Sequence, residues 1–330
     1  MGRSTRRVVV GGAIAAALVL AACGGDDGED SGSGGGGAVA GACEELSGDT
    51  INIVRNGWTA SAVGAEIAKQ LIEGQLCAPA AIVDIDENQM FAGLSDGSLD
   101  LVTELWPSGV VAEEQALIDN GSIVNAGPLG AVGQIGWFVP SYVVDANPAL
   151  ATWEGLADPE VAKQFATAET GDLGRFLGTD PSYSQYDEPI IANLELPFQV
   201  VFSGSEAATV AEIDSAVAAE KPIILYWWTP TAAVGKYDLV EVKLPEYTEG
   251  CQDDVAAAAC AYPSDPLQKL ASAKLQEKNP AVFAMFQKMQ ITTEQQLELL
   301  PQVEIDGRPA AEVAAEWIAA NESTWKAWIG

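Results

Sequence analysis

The sequence predicts an α/β protein of two lobes with a cleft between them, and three observations carry that expectation. Strand-like and helix-like patterns alternate along most of the chain. The chain leaves one α/β unit, builds a second, and then returns. Three strand ends, Asn56-Gly57-Trp58, Glu104-Leu105-Trp106-Pro107 and Trp228-Thr229-Pro230, each carry a tryptophan. Such ends are where open α/β sheets hold ligands.

The elements follow in order. TINIVR (residues 50–55) reads as a buried strand, and a helix follows Trp58. Val63, Ile67 and Leu71 fall at helical spacing, Ile72 and Leu76 widen the stripe, and Thr59 or Ser61 is a candidate cap. AAIVDID reads as a second strand. ENQMFAGLSDGSLDLVTELW gives a short helix, a glycine turn and a third strand over residues 99–105. VVAEEQALIDNG is helical and stops at Gly121. VGQIGWFVPSYVV, apolar and broken by Gly and Pro, reads as a crossing segment between lobes followed by a strand. NPALATWEGLADPEVAKQFA is a loop with one or two helices. GRFLGTDPSYSQYDEPIIANLEL opens with turn chemistry and becomes helical near Pro189. TVAEIDSAVAAEK is a helix leading into the strand PIILYWWTP, LVEVKLP is a further strand, and from Asp265 onward the chain reads as mainly helical. The expected first lobe combines residues 49–130 with 235–330, and the second spans residues 131–234.

The amino terminus stands outside this fold. Arg3, Arg6 and Arg7 precede an apolar run over residues 8–20, which closes on Leu20-Ala21-Ala22-Cys23. This is a secretory signal over residues 1–23 whose last four residues resemble a bacterial lipobox, with Cys23 as the lipidated residue. The expected location is extracytoplasmic, tethered to the membrane through lipid and not spanning it. Residues 24–48 read as a flexible tether, because a Gly/Ser/Asp-rich stretch buries too little apolar surface to offset its ordering entropy.

Lys and Arg total 16 against 47 Asp and Glu, a net charge of −31. That argues against a nucleic-acid partner, which needs a basic footprint. There is no histidine, which excludes Ser-His-Asp hydrolases and His-based zinc sites. No cofactor and no metal is expected. With Cys23 assigned to lipid, Cys43, Cys77, Cys251 and Cys260 remain, an even number in an exported chain. Cys251 and Cys260 bracket a short segment. Cys43 and Cys77 each lie just before a strand, and the starts of two parallel neighbours are adjacent. The expected pairs are Cys43–Cys77 and Cys251–Cys260; the zinc alternative lacks any CxxC.

Most of the nine tryptophans are expected to pack. Trp153, Trp317, Trp325 and Trp328 lie on helical or linker segments. Trp137 reads as hinge packing, and Trp227 as inward, opposite in facing to Trp228. Trp106 and Trp228 differ, because each sits where a strand ends and proline stiffens the backbone that follows. A rigid aromatic face over a cleft suits a quaternary ammonium, which has no N–H to donate. Each aromatic contact contributes about 0.5–2 kcal/mol. Three or four, with methyl burial at roughly 25 cal/mol per Å², reach the ~8 kcal/mol of micromolar binding.

DLVTELWPS, GWFVPSYVV, WEGLADPEVAKQF and KPIILYWWTP resemble the glycine betaine/choline substrate-binding proteins of ABC transporters, the ProX/OpuAC-like family, from about Thr50 to the C-terminus. The resemblance implies a two-lobed, type II periplasmic-binding-protein fold. It also implies an aromatic box for a trimethylammonium group and an ABC permease as partner. By position, Trp106 and Trp228 match two box tryptophans, and Tyr183 stands where better-known members have the third. Trp58 and Tyr186 are further box candidates. The implied carboxylate contacts fall on Ser184 and Gln185, with Ser182 and Arg55 as helpers. Glu104 shares a strand face with Trp106, and a carboxylate there favours a cation. Glycine betaine is the expected solute, with choline, carnitine, proline betaine or a sulfonium analogue as alternatives. An enzyme using carboxylates such as Glu104 or Asp180 is the remote alternative, and it leaves the tryptophans unexplained.

Overall fold

The structure, a computed structural model, describes Cys43, residues 45–183 and residues 185–329. The expected signal segment, Cys23 and Ser184 lie outside the described residues. The strands in chain order are β1 (Ile51–Arg55), β2 (Ala80–Asp84), β3 (Leu101–Leu105), β4 (Ile123–Pro140), β5 (Gly174–Gly178), β6 (Phe198–Phe202), β7 (Ile224–Thr229), β8 (Leu239–Val242) and β9 (Ser264–Ser272). They form one mixed sheet in the order β2-β1-β3-β9-β4-β7-β5-β6, with β8 also pairing β4.

Two groups of strands meet at β4. In the first, β2, β1 and β3 are parallel, and β9 runs antiparallel between β3 and β4. In the second, β6, β5 and β7 are parallel, and β7 runs antiparallel to β4. β4 pairs with β9 as far as Gln134, then with β8 from Trp137; β7 takes the other edge from Gln134 to Phe138. Strand pairing therefore keeps Leu239–Val242 with the Trp137–Pro140 end of β4.

The first group shows why these residues make these elements. Along β1, Ile51 and Ile53 face the helix Thr59–Leu76, which offers Val63, Ile67, Leu71 and Ile72. Val54 takes the other face with Val102, under Met90, Phe91 and Leu94 of the helix Glu87–Asp96. Parallel strands covered on both faces carry apolar residues at nearly every position, as here.

The helix start differs from the expected cap. Trp58 occupies the N-cap position without a side-chain capping bond to the helix. Glu206 reaches in from the helix Glu206–Ala218 instead, its Oε2 accepting from the Thr59 N–H at 2.8 Å and the Thr59 hydroxyl at 3.1 Å. Ser61 is used elsewhere, accepting from the Asn56 N–H.

Three segments were misread. The crossing segment is continuous strand through Pro140, and the helix Ser141–Ala146, not a strand, follows. GRFLG is β5, and SDPLQKLAS is β9. Disulfides join Cys43 to Cys77 and Cys251 to Cys260. No helix among the described residues is long and apolar enough to cross a membrane.

Candidate ligand-binding site

The carboxyl ends of parallel strands from both groups meet around one pocket. Trp58 follows β1, Glu87 follows β2, and Trp106 and Gly109 follow β3. From the second group come Tyr183, beyond β5, and Tyr226 and Trp228 on β7; Ile135 of β4 lies opposite Trp228 in the ladder. The space they line, open solvent included, is about 360 Å³. Trp58, Trp106, Tyr183 and Trp228 are 6%, 8%, 9% and 5% exposed, so a solute there is shielded from water on every ring.

The rings hold one another in place. Tyr183 meets Trp58 and Trp228 edge-on, with centroids 5.5 and 5.8 Å apart. Edge-to-face contact is favourable. The Tyr183 hydroxyl donates to the Gly57 carbonyl at 2.8 Å, joining the segment after β5 to the end of β1. Burial, with the nearby charge of Glu206 and Asp180, raises its pKa, so it remains a donor at neutral pH.

Behind the first wall sits Glu104, which is 2% exposed. Its Oε1 accepts the indole N–H of Trp58 at 2.7 Å and of Trp106 at 3.1 Å. Its Oε2 accepts from Gln296 Nε2 at 2.9 Å. Burial raises the Glu104 pKa, and the three donors oppose that rise. Gly133 of β4 makes room for Trp106, since a Cβ there would lie 2.2 Å from the ring. Trp227 is fully buried and outside the lining, while Trp228 is part of it, yet the two rings stay in contact. The Trp227 N–H donates to the Thr231 hydroxyl in the turn beyond the strand, and the two rings stack with centroids 4.4 Å apart.

Of the residues the sequence singled out, Trp58, Trp106, Tyr183 and Trp228 come together in the lining. Tyr186 is outside it: the ring stacks on Tyr262 and the hydroxyl donates to the Ser108 carbonyl. Arg55 turns away into an ion pair with Asp84, in the outer cleft beside Glu206 and Glu304. The Ser182 N–H and the Gln185 side-chain amide donate to Asp180. Glu104 supports the wall and is not part of the lining. Trp137 is core, packed on Phe176, with its N–H on buried Asp187 at 2.6 Å. Burial lifts the Asp187 pKa to about 7.

Tyr226, Ile135, Glu87 and Gly133 were missed. Tyr226 carried a readable signal, lying two residues before Trp228 on the same strand face. Glu87 is the first helical residue after β2, another strand end.

Strand ends converging from two groups on an aromatic pocket define a two-lobed binding protein of the kind that serves ABC importers outside the cytoplasm. Residues 49–320 match the OpuAC family, described as the substrate binding domain of the ABC-type glycine betaine transport system, and the chain belongs to that family. Its members bind and deliver solutes and are not enzymes. A curated relative, the trimethylamine N-oxide-binding protein of Pelagibacter ubique, is 27% identical over 281 residues, 83% of this chain and 89% of that protein. The solved glycine betaine, L-proline-binding protein ProX of Borrelia burgdorferi matches with a TM-score of 0.67 at 17% identity, over 86% of this chain and 97% of that one. An ABC-transporter choline binding protein in complex with choline matches with a TM-score of 0.65 at 16% identity, over 84% and 91% of the two chains. At such identity the structural likenesses establish the fold alone.

Proposed function

We propose that the pocket is an aromatic cage for one trimethylated onium headgroup, of the kind carried by glycine betaine, choline and trimethylamine N-oxide. One observation carries the reading: Trp58 and Trp106 from one strand group, and Tyr183, Tyr226 and Trp228 from the other, wall a single cavity. Ring faces attract a cation that offers no N–H. The relatives named for glycine betaine, choline and trimethylamine N-oxide point to the same chemistry.

Glycine betaine, which the family description names, is the first candidate. Glu87 in the pocket wall favours a second, choline, whose hydroxyl can donate to a carboxylate and which carries no carboxylate to be repelled. Because the walls come from both strand groups, a solute touches both only when they close together, and so shifts the protein toward the closed form. In this reading the lobes divide at Gln134 of β4 and again between β8 and β9, following strand pairing. Lipid on Cys23 and the tether over residues 24–48 hold the protein beside its permease.

Calorimetric titration with the three solutes tests the cage. At least one is expected to bind with micromolar affinity and one-to-one stoichiometry, with a saturable change in tryptophan emission. Silence from all three would discard the cage. Cys23→Ala is expected to release the protein from the membrane fraction, and its retention there would refute lipid anchoring.

A further inference from the structure

Glu104 has an arrangement that holding two side chains does not require. One buried oxygen takes both indole N–H groups, the other takes an amide, and none of these three partners is a cation. Aspartates and glutamates buried without a counter-charge are costly. The indole N–H edge is the positive rim of the ring and the face is the negative side. A full negative charge at the rim therefore strengthens the face it does not touch. In a buried site that field is weakly screened.

We infer that Glu104 is a positioning residue that also lends its charge to the pocket through the two indoles it holds, so that the onium headgroup is balanced by a carboxylate it never contacts. The inference rests on the cage reading above and adds the source of the cage's polarity. The cation supplies the counter-charge that the unliganded site lacks, so part of the binding energy is relief of the desolvation of Glu104. The raised pKa of Glu104, caused by burial, agrees with a carboxylate short of positive charge.

The surroundings permit a substitution that removes charge and little else. Gln296 Oε1 is buried without a partner. In Glu104→Gln the new carbonyl keeps both indole N–H groups, and the new amide donates to Gln296 Oε1 once that side-chain amide turns over. Choline, glycine betaine and trimethylamine N-oxide are titrated into the wild-type and E104Q proteins. Every solute that binds wild type is expected to bind E104Q about tenfold more weakly, a 1.4 kcal/mol change. The unliganded melting temperature is expected to stay within about 3 °C. Unchanged affinity in folded E104Q overturns the inference and leaves the cage standing. Absence of binding by wild type to all three removes the cage and the inference with it. Should E104Q fail to fold, wild type alone decides: choline is expected to bind at least tenfold more tightly than 3,3-dimethylbutan-1-ol, its uncharged carbon counterpart, and equal affinities overturn the inference.

Discussion

Trp58, Trp106 and Trp228 around the pocket are as buried as Trp317, Trp325 and Trp328 in the C-terminal helices. Their surroundings differ. In the helices Ala310–Ala320 and Glu322–Ile329, Trp317 and Trp328 stack with centroids 5.9 Å apart, and the Trp325 N–H donates to the Ile318 carbonyl seven residues back. Those rings pack on and bond to one another's helices. Around the pocket the rings come from β1, β3 and β7, two of them are held by a shared carboxylate, and all three line one cavity. Burial measures how much apolar area a ring contributes; the partner of its N–H and the cavity it lines indicate what the ring is for.

The largest expected effects separate these two sets. Trp106→Ala or Trp228→Ala removes a wall and is expected to weaken onium binding by about 100-fold or more, from lost cation–π contact and methyl burial together. Trp317→Ala and Trp325→Ala are expected to cost about 3–5 kcal/mol of stability while the folded fraction binds normally. Calorimetry with denaturant unfolding reads both, and a Trp325 variant that lost more affinity than Trp228→Ala would dissolve the distinction.

Titration with pH sharpens it next. Burial raises Glu206 to about 7 and Glu304 to about 8 in the cleft beside the pocket. The folded state therefore holds protons that the unfolded state releases near pH 4.5. Their stabilisation is fully present below that value and is lost as pH rises through about 7 and 8. The melting temperature is expected to fall between pH 5 and pH 8, and Glu304→Gln to flatten the fall. An identical slope in the variant would remove Glu304 from the account.

Gly133→Ala places a methyl group inside the van der Waals envelope of Trp106. Overpacking there is expected to cost about 1–3 kcal/mol, taken partly as lost affinity because the displaced ring is a pocket wall. Tyr183→Phe is the mildest change: the ring stays and the bond to Gly57 goes, at about 1 kcal/mol. Its titration should show a loss of several-fold or less, and a larger loss would mean that the hydroxyl contributes to binding beyond its tie to Gly57.

The pocket was legible wherever chemistry and position coincided in a short stretch. ELWP and YWWTP show an apolar strand, a large ring and a stiff exit together, and both tryptophans line the cavity. Gly133 was illegible because its requirement comes from Trp106 on another strand; in sequence it looks like a breaker. β9 was misread for a related reason. Its inward positions are Asp265, Leu267, Lys269 and Ala271, so alternation in burial is not alternation in hydrophobicity. Asp265 is satisfied by Ser108, and Lys269 by the carbonyls of Phe286, Gln287 and Met289 beyond it in the chain. A period of two that contains an acid and a lysine becomes readable only once those partners are in view.

The Cys43–Cys77 bridge clamps the segment before β1 to the segment before β2. It sits at the amino ends of β1 and β2, and the pocket opens at their carboxyl ends, about 17 Å away along five residues of strand. A load applied at Cys43 is thus borne by a covalent clamp on the far rim of the sheet and bypasses the rings. For a biosensor, this makes the Cys43 end the natural place for an immobilising graft, leaving the mouth facing the sample.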